Sequence, residues 1–180
     1  DEILQQIFSV IASDNFDIEQ RFLLFETPLD IVLTDREGNM DEMAATFFEI
    51  YFTLTCVSFD IELTLDQQEN LKTMLQHFDK MSEAFDDSVL YQLLRAKGTG
   101  SNSPGEIVAY GQTLISLITK SPHLIIHDLS SLIEYGFACF EIPQPTMQEN
   151  GFSFFEALFE KPNDAFNSIQ NRYMTYFLIK

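Results

Sequence analysis

Two histidines, His123 and His127, have the spacing in this sequence that comes nearest to metal chemistry. Side chains four positions apart lie on one side of an α-helix, so both imidazoles could turn toward one metal ion. A zinc-protease helix also needs a Glu directly after its first His, and Leu124 stands at that position. No obvious third ligand accompanies the pair. We therefore predict no metal site and no cofactor.

The residues that could act as nucleophiles or acid-base pairs also lack the required surroundings. Ser130 and Ser131 are not set in the glycine-flanked turn that exposes a nucleophilic serine, and no Gly-rich turn able to cradle a phosphate is present. Asp86 and Asp87 are adjacent in sequence, so their carboxylates diverge on a helix. We expect a protein that is not an enzyme.

Two cysteines, Cys56 and Cys139, stand alone inside apolar helical runs. They lack the short spacing of a zinc site or a redox pair, which predicts buried free thiols. The apolar runs are interrupted by charged residues before they reach the length of a bilayer, and the first residues lack the basic start of a secretory signal. The predictions are no membrane insertion and a location in the nucleus and cytoplasm.

Aromatic side chains, in one case together with a Leu, recur at helical spacing in two segments. One set is Phe47, Tyr51 and Leu54, and the other is Phe152, Phe155 and Phe159. Such stripes form helix cores far more often than ligand boxes. We interpret both sets as core packing.

Acidic residues dominate the charge of the chain. Asp and Glu number 28 against 10 Lys and Arg, which gives a formal net charge of -18 at pH 7. No Lys or Arg lies between Arg36 and Lys72, or between Lys120 and Lys161. The resulting negative potential repels phosphate backbones and anionic lipids, so nucleic acid is not expected as a partner. An alternative role for this charge is to keep a Phe-rich helical protein in solution.

The elements that must position these residues are predicted to be amphipathic helices with no strand. In the second half they cover about Glu106–Lys120, Pro122–Phe140, Gln144–Glu160 and Asn163–Ile179. The Pro122 helix should begin with Ser121 as its cap. Its predicted apolar side comprises Ile125, Leu129, Leu132, Ile133, Gly136 and Phe140, and its polar side comprises His127, Ser131, Glu134 and Glu141.

The first half shows the same pattern. Helices are predicted over Glu2–Ala12, from Asp17 with a kink or split at Pro28, from Asp41, from Thr64, and over Ser82–Lys97. The segment from Gly98 to Gly105 is predicted to be a surface loop within one continuous array, and the alternative is a cleavable or functional flap.

Two successive helices with their turns occupy about 38 residues, close to the ~40 to 47 residues of HEAT and armadillo repeats. The fold class predicted is all-α, a HEAT/armadillo-like superhelix of about eight antiparallel helices that forms a single array over residues 1–180. The chain starts without Met and ends on core-like residues such as Phe177 and Ile179. We interpret it as a fragment of a longer solenoid.

A specific resemblance appears in the second half. Its motifs are Gly111–His123, the turn Phe140–Thr146 that ends a helix with two prolines, and the aromatic pair within Gly151–Leu158. These segments resemble the C-terminal HEAT repeats of the importin-β (karyopherin) family of nuclear transport receptors, in particular the transportin-SR and importin-13 class. The resemblance covers about Glu106–Leu158. Gln144 stands where that class often has Glu.

The resemblance implies a segment that carries protein cargo between cytoplasm and nucleus under the control of the GTPase Ran. Ran would bind through the parent protein, and nucleoporins are further partners that the family would imply. Nuclear cargoes are commonly basic, and an acidic surface would attract them by long-range steering. An alternative is a HEAT-type scaffold that assembles a multiprotein complex unrelated to Ran.

Two acidic clusters are the candidate partner-binding residues. The first comprises Asp128, Glu134 and Glu141 on the polar side of the Pro122 helix. The second comprises Asp35, Glu37, Asp41 and Glu42, where a loop meets a helix start. The alternatives are an ordinary solvated helix face for the first cluster and a helix start matched to the helix dipole for the second.

Overall fold

The computed structural model describes residues 2–13, 15–34, 40–60, 76–98 and 103–160. These residues form helices and contain no strand, which confirms the all-α prediction. The helices are α1 (Glu2–Ala12), α2 (Ile18–Thr34), α3 (Met40–Asp60), α4 (described over residues 76–84), α5 (Asp87–Lys97), α6 (Pro104–Lys120), a 3-10 helix (Pro122–Asp128), α7 (Leu129–Glu141) and α8 (Pro145–Glu160).

The chain divides into two compact units, Asp1–Thr113 and Leu114–Lys180. The predicted single array over the whole chain stays a prediction. Two helix predictions, the first part of the helix from Thr64 and all of Asn163–Ile179, fall outside the described residues.

Phe47 of α3 packs against three other aromatic rings in the core of the first unit. Its ring centroid lies 4.9 Å from that of Phe8, 5.8 Å from that of Phe25 and 5.5 Å from that of Phe85. Tyr51, one turn later on α3, packs against Phe78 at 5.5 Å. Phe47, Tyr51 and Leu54 are all buried, so their interpretation as core is confirmed.

Pro28 neither splits nor ends α2, which continues from Ile18 to Thr34. A proline inside a helix removes one backbone hydrogen bond, at about 3 kcal/mol if nothing compensates. Here Pro28 is buried, and Phe25 and Leu29 on either side of it are fully buried. Their burial offsets the lost bond, since burying a Phe or Leu side chain contributes about 1.5–3 kcal/mol.

The predicted start of the helix Ser82–Lys97 is wrong, because the helical conformation is interrupted between α4 and α5. Asp86 caps α5, and its carboxylate accepts a hydrogen bond of 2.7 Å from the backbone N–H of Ser88. Hydrogen bonding to the Ser88 side chain, and secondly this bond to its backbone, hold the pKa of the Asp86 carboxyl below its ordinary value. Phe85 lies in the break and is buried against Phe47, so capping and core packing together separate the two helices.

The predicted helix Pro122–Phe140 is also corrected, because its first seven residues form a 3-10 helix and only Leu129–Glu141 is α-helical. Ser121 makes no side-chain cap. Ile125 and Ile126 are β-branched, which lowers their preference for the α-helix. The predicted apolar side is correct for Ile125, Leu129, Leu132, Ile133 and Gly136, which are buried, whereas Phe140 is only half-buried.

Candidate functional site

Two glycines set the close packing of α7 against α8 in the second unit. A Cβ atom placed on Gly136 would lie 2.7 Å from Cδ1 of Phe154 and 2.8 Å from Cε2 of Phe155. A Cβ atom on Gly151 would lie 3.2 Å from the carbonyl oxygen of Gly136. The missing side chains let the two helices approach, and this contact fixes which side of each helix faces outward.

A buried polar group reinforces the same contact. The Asn150 side-chain amide donates hydrogen bonds to the Tyr135 hydroxyl at 2.8 Å and to the Cys139 Sγ at 3.7 Å. Asn150 and Cys139 are almost completely buried, and burial raises the pKa of the Cys139 thiol. The thiol is therefore neutral and structural at pH 7.

The outward side of α7 carries two of the predicted site residues. Glu134 and Glu141 are both exposed, and they lie seven positions, or two helical turns, apart. Asp128 is half-buried at the end of the 3-10 helix and does not cap α7. We call Glu134 and Glu141 the acidic face, and Asp128 stands at its edge in the sequence.

The second predicted cluster is described only in part. Asp41 and Glu42 are exposed in the first turn of α3, where carboxylates favour the helix dipole. Asp35 and Glu37 lie outside the described residues. The prediction that these four residues form one surface stays a prediction.

Helix α8 adds carboxylates that the sequence analysis did not select. Glu149, Glu156 and Glu160 are exposed, and α8 contains no Lys or Arg. Their positions 149, 156 and 160 follow helical spacing, which places them along one side of α8. The chain has no Lys or Arg between Lys120 and Lys161, so Glu149 and Glu156 have no basic residue near them in the sequence, whereas Glu160 directly precedes Lys161.

An aromatic groove lies beside these carboxylates. We define it by Phe140 from the last turn of α7 and by Phe152, Phe155, Glu156 and Phe159 from α8, which line a space of about 450 Å³. The Phe140 ring lies 4.8 Å from Phe152 and 6.0 Å from Phe155, centroid to centroid, and it is nearly parallel to the Phe155 ring. Phe159 stacks on Phe155 at 5.8 Å.

The interpretation of Phe152, Phe155 and Phe159 as core is right for only one of the three. Phe155 is buried, whereas Phe152 is 67% exposed and Phe159 is 38% exposed. The reason is geometric, since the side of α8 that meets α7 carries Gly151, Phe154 and Leu158. A usable signal was Glu156, which stands between Phe152 and Phe159 on the same side of the helix.

The two histidines do not form a site in this structure. Both are exposed, and they lie in the 3-10 helix rather than in an α-helix. With three residues per turn, side chains four positions apart point about 120° away from each other. Among the described residues there is no group of three side chains suited to a metal ion.

Two lysines of the first unit are held by carboxylates. Lys97 Nζ lies 2.7 and 2.6 Å from the two oxygens of Glu49, and 5.1 Å from the centre of the Phe52 ring. Lys80 Nζ lies 2.7 Å from Glu26 and 3.4 Å from Asp30. Each lysine therefore already neutralises an acidic neighbour within the unit.

Within the described part of the chain, no helix combines the length and the apolar composition that crossing a membrane requires. Comparison with known proteins gives no further guide: no family model, no curated protein and no solved structure matches this chain. The candidate site is therefore argued from its geometry alone. It consists of the acidic face on α7 and of the carboxylates and aromatic side chains on α8, the next helix in the sequence.

Proposed function

We propose that this chain is a protein-binding helical segment that holds a basic region of another protein on its acidic surface. The observation that carries the proposal is the outward exposure of Glu134 and Glu141 within a stretch of forty residues, Ser121–Glu160, that has no Lys or Arg. Carboxylates arranged in this way attract cations over a distance of about one Debye length, roughly 10 Å at 0.1 M salt. They therefore accelerate encounter with basic partners.

The more specific form of the proposal is a segment of a nuclear transport receptor of the karyopherin family that carries basic cargo between cytoplasm and nucleus under Ran control. Its support is the sequence resemblance over Glu106–Leu158. Helical hairpins such as α7 and α8 agree in class with HEAT repeats, but many unrelated proteins share that class.

The second candidate is an assembly scaffold that acts without Ran. The exposed aromatic side chains of α8 favour it, because grooves between helices commonly receive the apolar face of a partner helix. A pull-down of partners by the full-length protein, with and without GTP-loaded Ran, separates the candidates. A change in partner occupancy caused by Ran, in either direction, supports the receptor, and unchanged occupancy supports the scaffold.

The acidic face is tested by neutralising its two carboxylates. We expect the double variant Glu134→Gln, Glu141→Gln to bind a fluorescently labelled peptide rich in Lys and Arg roughly 3- to 10-fold more weakly in anisotropy titrations at low salt. The difference should shrink as NaCl is added, because salt screens exposed charges.

A matched control changes the net charge by the same amount elsewhere. Gln76 and Gln92 are exposed in the first unit, so the variant Gln76→Lys, Gln92→Lys also makes the chain less negative by two charges. We expect it to keep most of the affinity. Equal losses in the two variants would show that only total charge matters, and the acidic face would then have no specific role.

A further inference from the structure

The aromatic groove leaves large apolar side chains in water on a folded hairpin. Phe152 and Phe159 are exposed although α7 and α8 pack closely through Gly136, Gly151 and Phe154. The packing of the hairpin thus leaves much of both rings uncovered, and such exposure works against solubility. The groove, of about 450 Å³, is as large as many ligand pockets.

The groove also carries charge of one sign. Glu156 lines it, and Glu149 and Glu160 extend along the same helix, which lacks any Lys or Arg. Aromatic faces attract ammonium and guanidinium groups, and they also accept the aliphatic stems of Lys and Arg. A partner segment suited to this surface combines apolar side chains with basic ones.

We propose that the aromatic groove binds the apolar side of a basic amphipathic helix from another protein, with an aliphatic residue seated between Phe140, Phe152 and Phe159. Lys or Arg beside that residue pairs with Glu156. This inference deepens the proposed function, on which it rests, because it names the kind of segment that is bound. A second copy of this chain is disfavoured as occupant, since each copy has a net charge of -18.

Two peptides separate the groove from the acidic face. The first is composed of Leu and Lys, with Leu at helical spacing, and the second has every Leu replaced by Ser, so that its charge is the same. We expect the wild-type chain to bind the Leu/Lys peptide roughly tenfold or more tightly than the Ser/Lys peptide. In the Phe152→Ala variant this preference should largely disappear, because the exposed ring that forms one side of the groove is gone.

Leu23→Ala is the matched control, since Leu23 is 70% exposed on α2 in the first unit. It should retain the preference for the Leu/Lys peptide, and Glu156→Gln should lose affinity for both peptides by roughly 3-fold. Helical circular dichroism confirms that the variants are folded, which we expect because Phe152 contributes little to the core.

The proposal is overturned if Phe152→Ala keeps the preference, or if Leu23→Ala removes it to the same extent. It is also overturned if the wild-type chain self-associates in sedimentation experiments and Phe152→Ala is monomeric, because the groove would then be a contact between copies. The Glu134→Gln, Glu141→Gln variant is compared in the same way. If it binds the Ser/Lys peptide more weakly than the wild type does and still prefers the Leu/Lys peptide, both proposals are supported. If that variant binds Ser/Lys normally, only the role of the acidic face fails.

Discussion

His77 is a buried titratable side chain at the contact between α2 and α4. It is 4% exposed and stacks on Phe25 with ring centroids 6.0 Å apart. Burial lowers the pKa of His77 below its ordinary value of 6.5, and Lys80 acts in the same direction. Glu26 and Asp30 oppose this shift without reversing it. The imidazole is therefore neutral in the folded protein at pH 7.

The lowered pKa of His77 predicts that the protein loses stability on mild acidification. As the pH falls below 6.5, the unfolded chain binds a proton at His77 more readily than the folded chain does, so the free energy of unfolding decreases. Urea denaturation at about pH 7.5 and about pH 5.5 should show a smaller decrease for His77→Gln than for the wild type. Equal decreases in the two proteins would contradict the assignment.

The carboxyl of Glu26 adds a separate effect at lower pH. Its hydrogen bond and charge interaction with Lys80 lower its pKa below the ordinary value of 4.5. The interaction between Glu26 and Lys80 therefore stabilises the fold above about pH 4.5, and this stabilisation is lost as the pH falls through the lowered pKa of Glu26. Since both partners are more than a third exposed, the contribution is small, about 0.2–1 kcal/mol.

At the scale of helices, the contact between α7 and α8 is the most constrained feature of the second unit. Replacing a helical Gly by Ala normally stabilises a helix by about 0.5–1 kcal/mol. At Gly136 the added methyl group would clash with the rings of Phe154 and Phe155. Phe154 is fully buried and cannot swing into solvent, so the contact must widen.

We therefore expect Gly136→Ala to lower the free energy of unfolding by about 1–3 kcal/mol. Ser131→Ala is the control on the exposed side of α7, and it should be neutral or slightly stabilising because Ala has the higher helix propensity. Chemical denaturation followed by circular dichroism gives both values. A stabilised Gly136→Ala protein would show that the helices separate more easily than the geometry indicates.

The existence of the helices could be predicted from sequence, because their apolar residues recur at helical spacing. The bounds of α1 were predicted to the residue, and the buried side of α7 was predicted correctly. The break at Asp86 and the 3-10 start before α7 were not predicted, and of the two alternatives at Pro28, a kink or a split, the split is wrong. Each depends on how capping, packing and local propensity balance in three dimensions, and single-sequence patterns do not contain that balance.

For the candidate site, the acidic side of α7 was predicted and the aromatic groove was not, although Glu156 between Phe152 and Phe159 is a partial signal for it. Glu134 and Glu141 lie opposite an apolar stripe, so their exposure follows from the pattern. Helix α8 has aromatic residues on two adjacent sides, one of which meets α7 through Phe154. Composition cannot tell which side is covered, because that depends on where the glycines permit close approach.

At the scale of the whole molecule, the excess of carboxylates should lower stability through self-repulsion. With a net charge of -18, the folded chain brings many like charges close together. Added salt screens them, so we expect the Tm to rise as NaCl increases from about 0.01 M to about 0.3 M.

The variant Glu134→Gln, Glu141→Gln should show a higher Tm at low salt and a smaller increase with NaCl. Calorimetry or thermal scans followed by circular dichroism measure both quantities. Sucrose at matched osmolarity is the control for effects unrelated to screening. A Tm that does not respond to salt would show that the carboxylates are too far apart to repel one another significantly.

The placement of the two thiols provides a reporter in each compact unit. Cys56 lies in the first unit, 9% exposed at a pocket of about 230 Å³, and Cys139 lies in the second, 1% exposed beneath Asn150. Thiol reagents attack only an accessible thiolate. The rate at which each cysteine is alkylated therefore measures how often its surroundings open. Mass spectrometry of the labelled chain can follow both alkylation rates in one sample, without any introduced cysteine.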